Sequence, residues 1–308
     1  MEARNQVVRI IADREMDRVP DFRKALADCG IQKGDILNVA SDVSEILLMA
    51  KRAGLISSKY DMHVYMDEMV DALKDAVGKE GTLLFPVYNM GFCAGKGFDF
   101  RNTPGDTGAL ANHVLFNRAD FRRTKNPTHS FAVWGRDAEF LTHLDNQEST
   151  GLDSPYKYMH DNDGKWLMIN IPLRRGFTFM HYVEQCVDVP FRYHKYFLGK
   201  YVNADGVETV RCYSVFVMDL SIERDMVLSD EFFEKSEAMV SSNAGFYKIK
   251  LADLKKAYEL ISDDLLNNGG LNCYQFGNYK LDWSVGKTHD IEMANRLEPI
   301  ESGDGAVF

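Results

Sequence analysis

Three clusters of side chains in this sequence have the types and spacing that move protons or hold anions. The first is Arg122-Arg123-Thr124-Lys125-Asn126-Pro127-Thr128-His129-Ser130. His129 follows a Pro-Thr pair and directly precedes an apolar run. That places it at a strand edge, where an imidazole can face a cleft and act as a general base near neutral pH. A histidine that merely caps a turn is the plain alternative. The second cluster is His181-Tyr182-Val183-Glu184. On a helix, residues three apart share a face, and a carboxylate beside a histidine fixes its tautomer and raises its basicity. No His-Glu-x-x-His or comparable pattern completes a metal site, so no metal is expected. The third cluster is Asn102-Thr-Pro-Gly-Asp-Thr-Gly108, which leads into a helix. Free amides at a helix start suit an anion or a carbonyl oxygen, although an ordinary capped helix has the same pattern. The segment lacks the Gly-Lys-Ser/Thr ending of a phosphate-binding loop and is not a Gly-x-Gly-x-x-Gly fingerprint. Arg122, Arg123 and Lys125 form a short basic run, either a solvated face or a site for cofactor phosphates.

The elements that must carry these clusters alternate between strand and helix patterns. Asp21–Gly30 reads as a short helix and Ile36–Ala40 as a buried strand. His63–Val77 has apolar residues at spacings of three and four and reads as a longer helix ended by Gly78. Gly81–Tyr88 is a continuous apolar strand of the kind buried in parallel sheets. Residues 89–107 form a long loop, a length that compact domains keep for function. Thr107–Phe116 reads as a helix, Phe131–Gly135 and Trp166–Ile171 as strands, and Thr178–Val187 as a helix. Lys195–Val202 and Val207–Met218 flank Asn203-Ala-Asp-Gly206, a hairpin signal. Two helices, Asp230–Val240 and Leu251–Asn267, follow, separated by Gly245-Phe-Tyr-Lys-Ile. The pattern predicts a single-domain α/β/α layered fold with a mixed central sheet and an added antiparallel hairpin. Residues 1–20 read as an N-terminal extension, 21–290 as the domain and 291–308 as a loose tail.

The chain has 308 residues, 45% of them hydrophobic and 27% charged. That is ordinary globular usage and excludes whole-chain disorder. The net charge of −10 argues against a nucleic-acid binder, which needs a basic face, and leaves room for a cationic or neutral small substrate. No window reaches the eighteen or so apolar residues of a membrane helix, and no signal peptide is visible. The five cysteines are scattered, odd in number and without a Cys-x-x-Cys. They read as reduced thiols of a cytoplasmic protein.

In order, Gly81-Thr-Leu-Leu-Phe-Pro, Thr103-Pro-Gly-Asp-Thr-Gly-Ala-Leu110, Asn126-Pro-Thr-His-Ser-Phe-Ala-Val-Trp-Gly135, Ser154-Pro-Tyr156 and Thr178-Phe-Met-His-Tyr-Val-Glu184 resemble the aminoglycoside 3-N-acetyltransferase family. The resemblance runs from about Asp21 to about Asn267. It implies transfer of an acyl group from acetyl-CoA or another acyl-CoA to the amine of an amino sugar, with no metal. It further implies pantetheine along the loop after the first strand, at Ser41 and Val43, and beside Thr107, Gly108 and Ser130. Asp99 and His181 are the implied substrate contacts. The usual histidine before Pro-Thr-His-Ser is Asn126 here, and the usual Val-His-Ser-Ser-like segment is Asn38-Val-Ala-Ser41-Asp-Val-Ser44. A second family histidine before Ser-Pro corresponds to His143 if a gap is allowed. The catalytic histidine is therefore His129 or His143, with His129 favoured and Glu184 orienting it, while Ser130 or the amides near Thr107 and Gly108 face the developing oxyanion. The preferred acceptor is a biosynthetic amino sugar of a surface polysaccharide or natural product, free or nucleotide-linked. An antibiotic-resistance enzyme, a non-catalytic coenzyme A or sugar binder and a His/Glu metal hydrolase are the competing readings. A homodimer is the assembly considered.

Overall fold

The computed structural model describes residues 18–284 and 291–294. Its strands in chain order are β1 Ile36–Ser41, β2 Thr82–Pro86, β3 Phe98–Asp99, β4 Arg122–Arg123, β5 Phe131–Gly135, β6 Lys165–Ile169, β7 Arg192–Val202, β8 Glu208–Met218, β9 Arg224–Met226, β10 Met239–Ala244, β11 Tyr247–Asp253, β12 Tyr274–Phe276 and β13 Ile291–Ala294. The helices are α1 Pro20–Asp28, α2 Ser44–Arg52, α3 Lys59–Val77, α4 Ala109–Asn117, α5 Ala138–His143, α6 Pro155–Asp161, α7 Leu173–Gly176, α8 Phe179–Cys186, α9 Asp230–Lys235 and α10 Leu254–Asn267.

Seven strands form the central sheet in the order β10-β11-β6-β1-β2-β5-β4. Strands β6, β1 and β2 pair in parallel, β11 and β5 flank them antiparallel, and the edge strands β10 and β4 are antiparallel in turn to β11 and β5. The middle strands are buried on both faces, which explains their unbroken apolar runs. One face packs Trp166, Tyr156, Phe177 and Phe179 under α6, α8 and α10. The other packs Leu37, Val39, Met69, Leu73 and Leu110 under α1, α3 and α4. The layered α/β/α expectation is thus the observed architecture. The predicted hairpin is β7–β8, paired over its full length from Arg192↔Met218 to Val202↔Glu208, and it anchors a second sheet with β3 and β13.

Several boundaries differ from expectation, each for a local reason. Helix α3 begins at Lys59 rather than His63, because Ser58 and Asp61 form a reciprocal capping box that satisfies otherwise free amides. The helix expected over Asp230–Val240 stops at Lys235. Glu237 takes a positive φ of 54° and the chain turns into β10. The segment expected to separate two helices is instead the tight turn of the β10–β11 hairpin, with Gly245 at φ 66°. Helices α2, α5, α6 and α7 were not expected. Four residues of the segment assigned to the tail, Ile291–Ala294, pair with β7 as a strand. The expectation of a loose end over Pro299–Phe308 lies outside the described residues, as does most of the extension assigned to residues 1–20.

The long loop 89–107 is held by Arg123, which is 4% exposed. Its guanidinium donates to the carbonyls of Thr103 (2.5 Å), Val87 (3.2 Å) and Phe100 (3.4 Å). It also lies 4.5 Å from the centre of the Phe98 ring, a cation–π contact. Burial lowers its pKa to about 10. It is positioned by the Ser130 hydroxyl, 3.3 Å from Nε. Gly105 fits the same closure, since a Cβ there would come within 2.8 Å of the Val87 Cα. Arg123→Met is expected to lower the unfolding free energy by roughly 3 kcal/mol, because it strands buried carbonyls. Urea denaturation checks this: the midpoint should fall with the slope unchanged, and a loss under about 1 kcal/mol would mean that other donors replace Arg123.

Candidate active site

The carboxyl ends of parallel strands are where open α/β sheets place ligands. Here β1 and β2 end in a cleft of about 350 Å³. Ser41 and Val43 line it from the β1–α2 turn, Thr107 and Gly108 from the start of α4, and Tyr88 and Thr178 from its inner end. Four of the five residues expected to hold the acyl donor therefore share one cleft. Gly108, at φ 108°, lets the chain turn into α4 close to the Ser41 carbonyl, where a Cβ would stand at 3.4 Å. Thr107 donates its hydroxyl to the Pro86 carbonyl. The fifth, Ser130, does not reach the cleft. It is fully buried and donates to the Val87 carbonyl at 2.7 Å, so it braces Arg123 instead. Along an extended segment neighbouring side chains alternate sides, which separates it from His129.

Behind the inner end of the cleft, the hydroxyls of Tyr88, Tyr156 and Thr178 form one cluster, with Tyr88 2.6 Å from Tyr156 and 3.1 Å from Thr178. The His129 ring packs 4.6 Å from the Tyr88 ring. Asn126 builds the turn that puts it there: its side-chain oxygen accepts from the amides of Thr128 (3.1 Å) and His129 (3.2 Å). His129 is buried. That burial, together with the nearby His181, lowers its pKa to about 3, so it is neutral at neutral pH.

Glu184 does not orient His129. Its carboxylate, 0% exposed, meets His181 Nδ1 at 2.9 Å and Arg192 Nε at 2.9 Å, and it accepts a hydrogen bond from the Tyr274 hydroxyl. Burial alone would raise its pKa. Arg192, His181 and Tyr274 together bring it below the ordinary value. His181, on the same face of α8, keeps 31% of its side chain exposed. A hydrogen on Nδ1 donated to Glu184 leaves Nε2 free to accept a proton, although Arg192 Nη2 also lies 3.1 Å from Nδ1. His143 is far from this chemistry in structural role. It is exposed at the end of α5 with Nδ1 2.7 Å from the Glu139 carbonyl. Asp99 is also elsewhere: its carboxylate caps the turn at Arg101 and Asn102, which explains its lowered pKa.

Helix α8 connects the cleft to a second cavity of about 450 Å³, bordered by Glu148, His160, Asp161, Tyr182, Gln185 and Tyr258. Thr178, His181 and Gln185 stand at i, i+3 and i+7, one helix face. Thr178 borders the cleft and Gln185 the second cavity, so His181 lies between them. Arg192 and Tyr274, which complete the Glu184 cluster, were missed by sequence reasoning. Neither carries a local motif, and Tyr274 is 90 positions from Glu184. Among the described residues no group of three or more His, Cys, Asp or Glu is arranged to hold a metal ion, and no helix is long and apolar enough to cross a membrane.

A family model described as aminoglycoside 3-N-acetyltransferase matches residues 58–265. No curated protein sequence matches the chain. Among solved structures, AAC-IIIb in binary complex with CoASH is 20% identical with a TM-score of 0.63, over 83% of this chain and 96% of its own. The YokD protein from Bacillus subtilis is 17% identical with a TM-score of 0.63, over 80% and 93%. The aminoglycoside acetyltransferase AAC(3)-Xa is 20% identical with a TM-score of 0.62, over 79% and 92%. These likenesses show a shared fold.

The buried neutral His129 has a stability signature. Its folded pKa of about 3 lies below the unfolded value near 6.5, so between these pH values only the unfolded chain binds the proton. Stability should therefore fall as pH drops from about 6.5 toward 3, by up to about 1.4 kcal/mol per pH unit from this group. In His129→Gln, denaturant melts across that range should show a slope shallower by about one proton. An unchanged slope would mean that His129 is protonated in the folded protein.

Proposed function

The chain belongs to the aminoglycoside 3-N-acetyltransferase family, and on that premise we propose that His181 is the base of acetyl transfer between a donor cleft and an acceptor cavity. The enzyme class is N-acetyltransferase, with coenzyme A as the acyl carrier. The observation that carries the proposal is the His181–Glu184 hydrogen bond on the helix that links the two cavities.

The donor cleft suits a coenzyme A thioester. It lies at strand carboxyl ends and is lined by Ser41 and the helix-start residues Thr107 and Gly108. A neighbour in fold was solved with CoASH. Bound acetyl-CoA supplies the electrophilic thioester carbonyl. The chain's own residues do the rest. An amino-sugar amine is mostly protonated at neutral pH and attacks only when free. As the amine nitrogen bonds to the acetyl carbon and the thioester C–S bond breaks, His181 Nε2 accepts the proton that the nitrogen releases, Nδ1–H to Glu184 supports the imidazolium, and that proton passes to the leaving coenzyme A thiolate. Arg192 and Tyr274 keep Glu184 in place. His129, buried and neutral, packs beside Tyr88 and holds the inner end of the cleft in shape.

The acceptor is proposed to be a biosynthetic amino sugar with one or two amines, free or carried on a nucleotide, rather than a polycationic antibiotic. Asp161 at the second cavity is already paired with Lys157. Glu148 is held by Gln185 Nε2 at 2.6 Å, which leaves its charge available to one ammonium group. A substrate with four or five ammonium groups would need more carboxylates than this.

His181→Gln should lower kcat about 10²- to 10⁴-fold, while His143→Gln leaves it unchanged. Glu148→Gln should raise KM for the amine about tenfold without changing KM for acetyl-CoA. Acetyl transfer to glucosamine and to kanamycin, followed by mass spectrometry, tests acceptor class. Turnover of kanamycin with the higher kcat/KM would overturn the biosynthetic reading, and full activity in His181→Gln would overturn the base assignment.

A further inference from the structure

The donor cleft carries a charge feature that the transfer chemistry does not use. Arg175, on the short helix α7 after β6, lines the cleft and is exposed. It is the only cation among the residues lining it. Among the described residues no carboxylate pairs with its guanidinium, whereas Arg118, Arg136 and Arg211 are each paired with aspartates. The two acidic residues on the same lining are turned to the backbone instead. Asp42 accepts from the Ser44 amide at 3.1 Å, and Asp106 from the Met90 amide at 2.9 Å. In a chain of net charge −10, an unpaired arginine at a cleft mouth is the feature that would attract an anion.

Position supports the same reading. Thr178 marks the inner end of the cleft, and Arg175 stands three residues earlier, at most about 11 Å along the backbone. Arg175 is exposed where it lines the cleft, whereas Tyr88 on the same lining is buried. The nine-residue helix α2 starts on the same rim at Val43 and Ser44 and turns its positive end toward it.

We infer that Arg175 is a specificity residue for the acyl donor, gripping the phosphates of coenzyme A at the cleft mouth and distinguishing a coenzyme A thioester from a pantetheine thioester. This rests on the donor cleft assigned above. A guanidinium recognises phosphate oxygens through paired, charge-assisted hydrogen bonds, and a pantetheine thioester offers none.

Titration calorimetry of the full chain with coenzyme A, dephospho-coenzyme A and pantetheine tests it, in wild type, Arg175→Gln and Arg175→Lys. The wild type should bind coenzyme A at least tenfold tighter than pantetheine, with an advantage that shrinks as salt rises. Arg175→Gln should weaken coenzyme A about tenfold and leave pantetheine unchanged, and Arg175→Lys should recover part of the loss. In turnover, Arg175→Gln should raise KM for acetyl-CoA at unchanged kcat and leave KM for S-acetylpantetheine as in wild type. Loss confined to coenzyme A assigns the contact to the 3′-phosphate, and equal loss with dephospho-coenzyme A assigns it to the diphosphate. An equal loss of pantetheine binding, or wild-type affinity for coenzyme A in Arg175→Gln, overturns the inference. Failure of the wild type to bind either ligand would overturn the donor-cleft assignment itself.

Discussion

A carboxylate fully removed from water must be matched by charge and hydrogen bonds, or its burial costs several kcal/mol. Glu184 is such a group, and the organisation around the site follows from satisfying it. The matching groups come from three places. His181 lies on its own helix α8, Arg192 begins the long hairpin strand β7, and Tyr274 sits in the small strand β12. The cluster therefore joins the helical layer over the central sheet to the second sheet and to the C-terminal strands. Arg192 is tied further by Nη1, which donates to the Phe216 carbonyl of β8 at 2.9 Å. The same matching that stabilises the carboxylate orients an imidazole, so structural and chemical requirements meet in one residue.

Arg123 is a second buried charge, matched in the opposite way. Among the described residues no carboxylate forms an ion pair with it, although the Asp99 charge is near enough to favour its protonated form. Its donors go to main-chain carbonyls of the long loop and the strand end. That arrangement draws loop 89–107 onto the sheet edge and brings Asp106, Thr107 and Gly108 to the cleft wall. A basic run that looks like a solvated face or a phosphate site in the sequence is thus divided by strand alternation. In β4, Arg122 is exposed while Arg123 is buried.

The chain keeps its fold at about one identical residue in five with its structural neighbours. What persists is the set of constraints that a parallel β6-β1-β2 core imposes: buried apolar strands, turns at their carboxyl ends, and a helix start beside them. Asn126 holds the turn at Pro127-Thr128 by accepting three hydrogen bonds with one side-chain oxygen.

The sequence by itself determined the alternation of strands and helices, the β7–β8 hairpin, and the residues at the strand ends. Ser41, Val43, Thr107 and Gly108 were named through the family resemblance, and the Gly-containing helix start at Thr107 and Gly108 was also marked by its short-range pattern. The His181–Glu184 pair was legible for the same reason, since helical spacing puts residues three apart on one face. Boundaries failed where a local signal was overridden or overlooked, as at Glu237 and Ser58. The partners of Glu184 were decided only by the tertiary structure. The sequence reading favours His129 as the base over His143 and gives His181 as a substrate contact. Packing makes His129 buried and neutral and leaves His181 half-exposed beside a carboxylate. Arg192 and Tyr274 carry no motif because their role depends on which segments meet around one buried charge. Solvent exclusion and long-range contact set a group's charge state, and neither is encoded in the spacing of nearby residues.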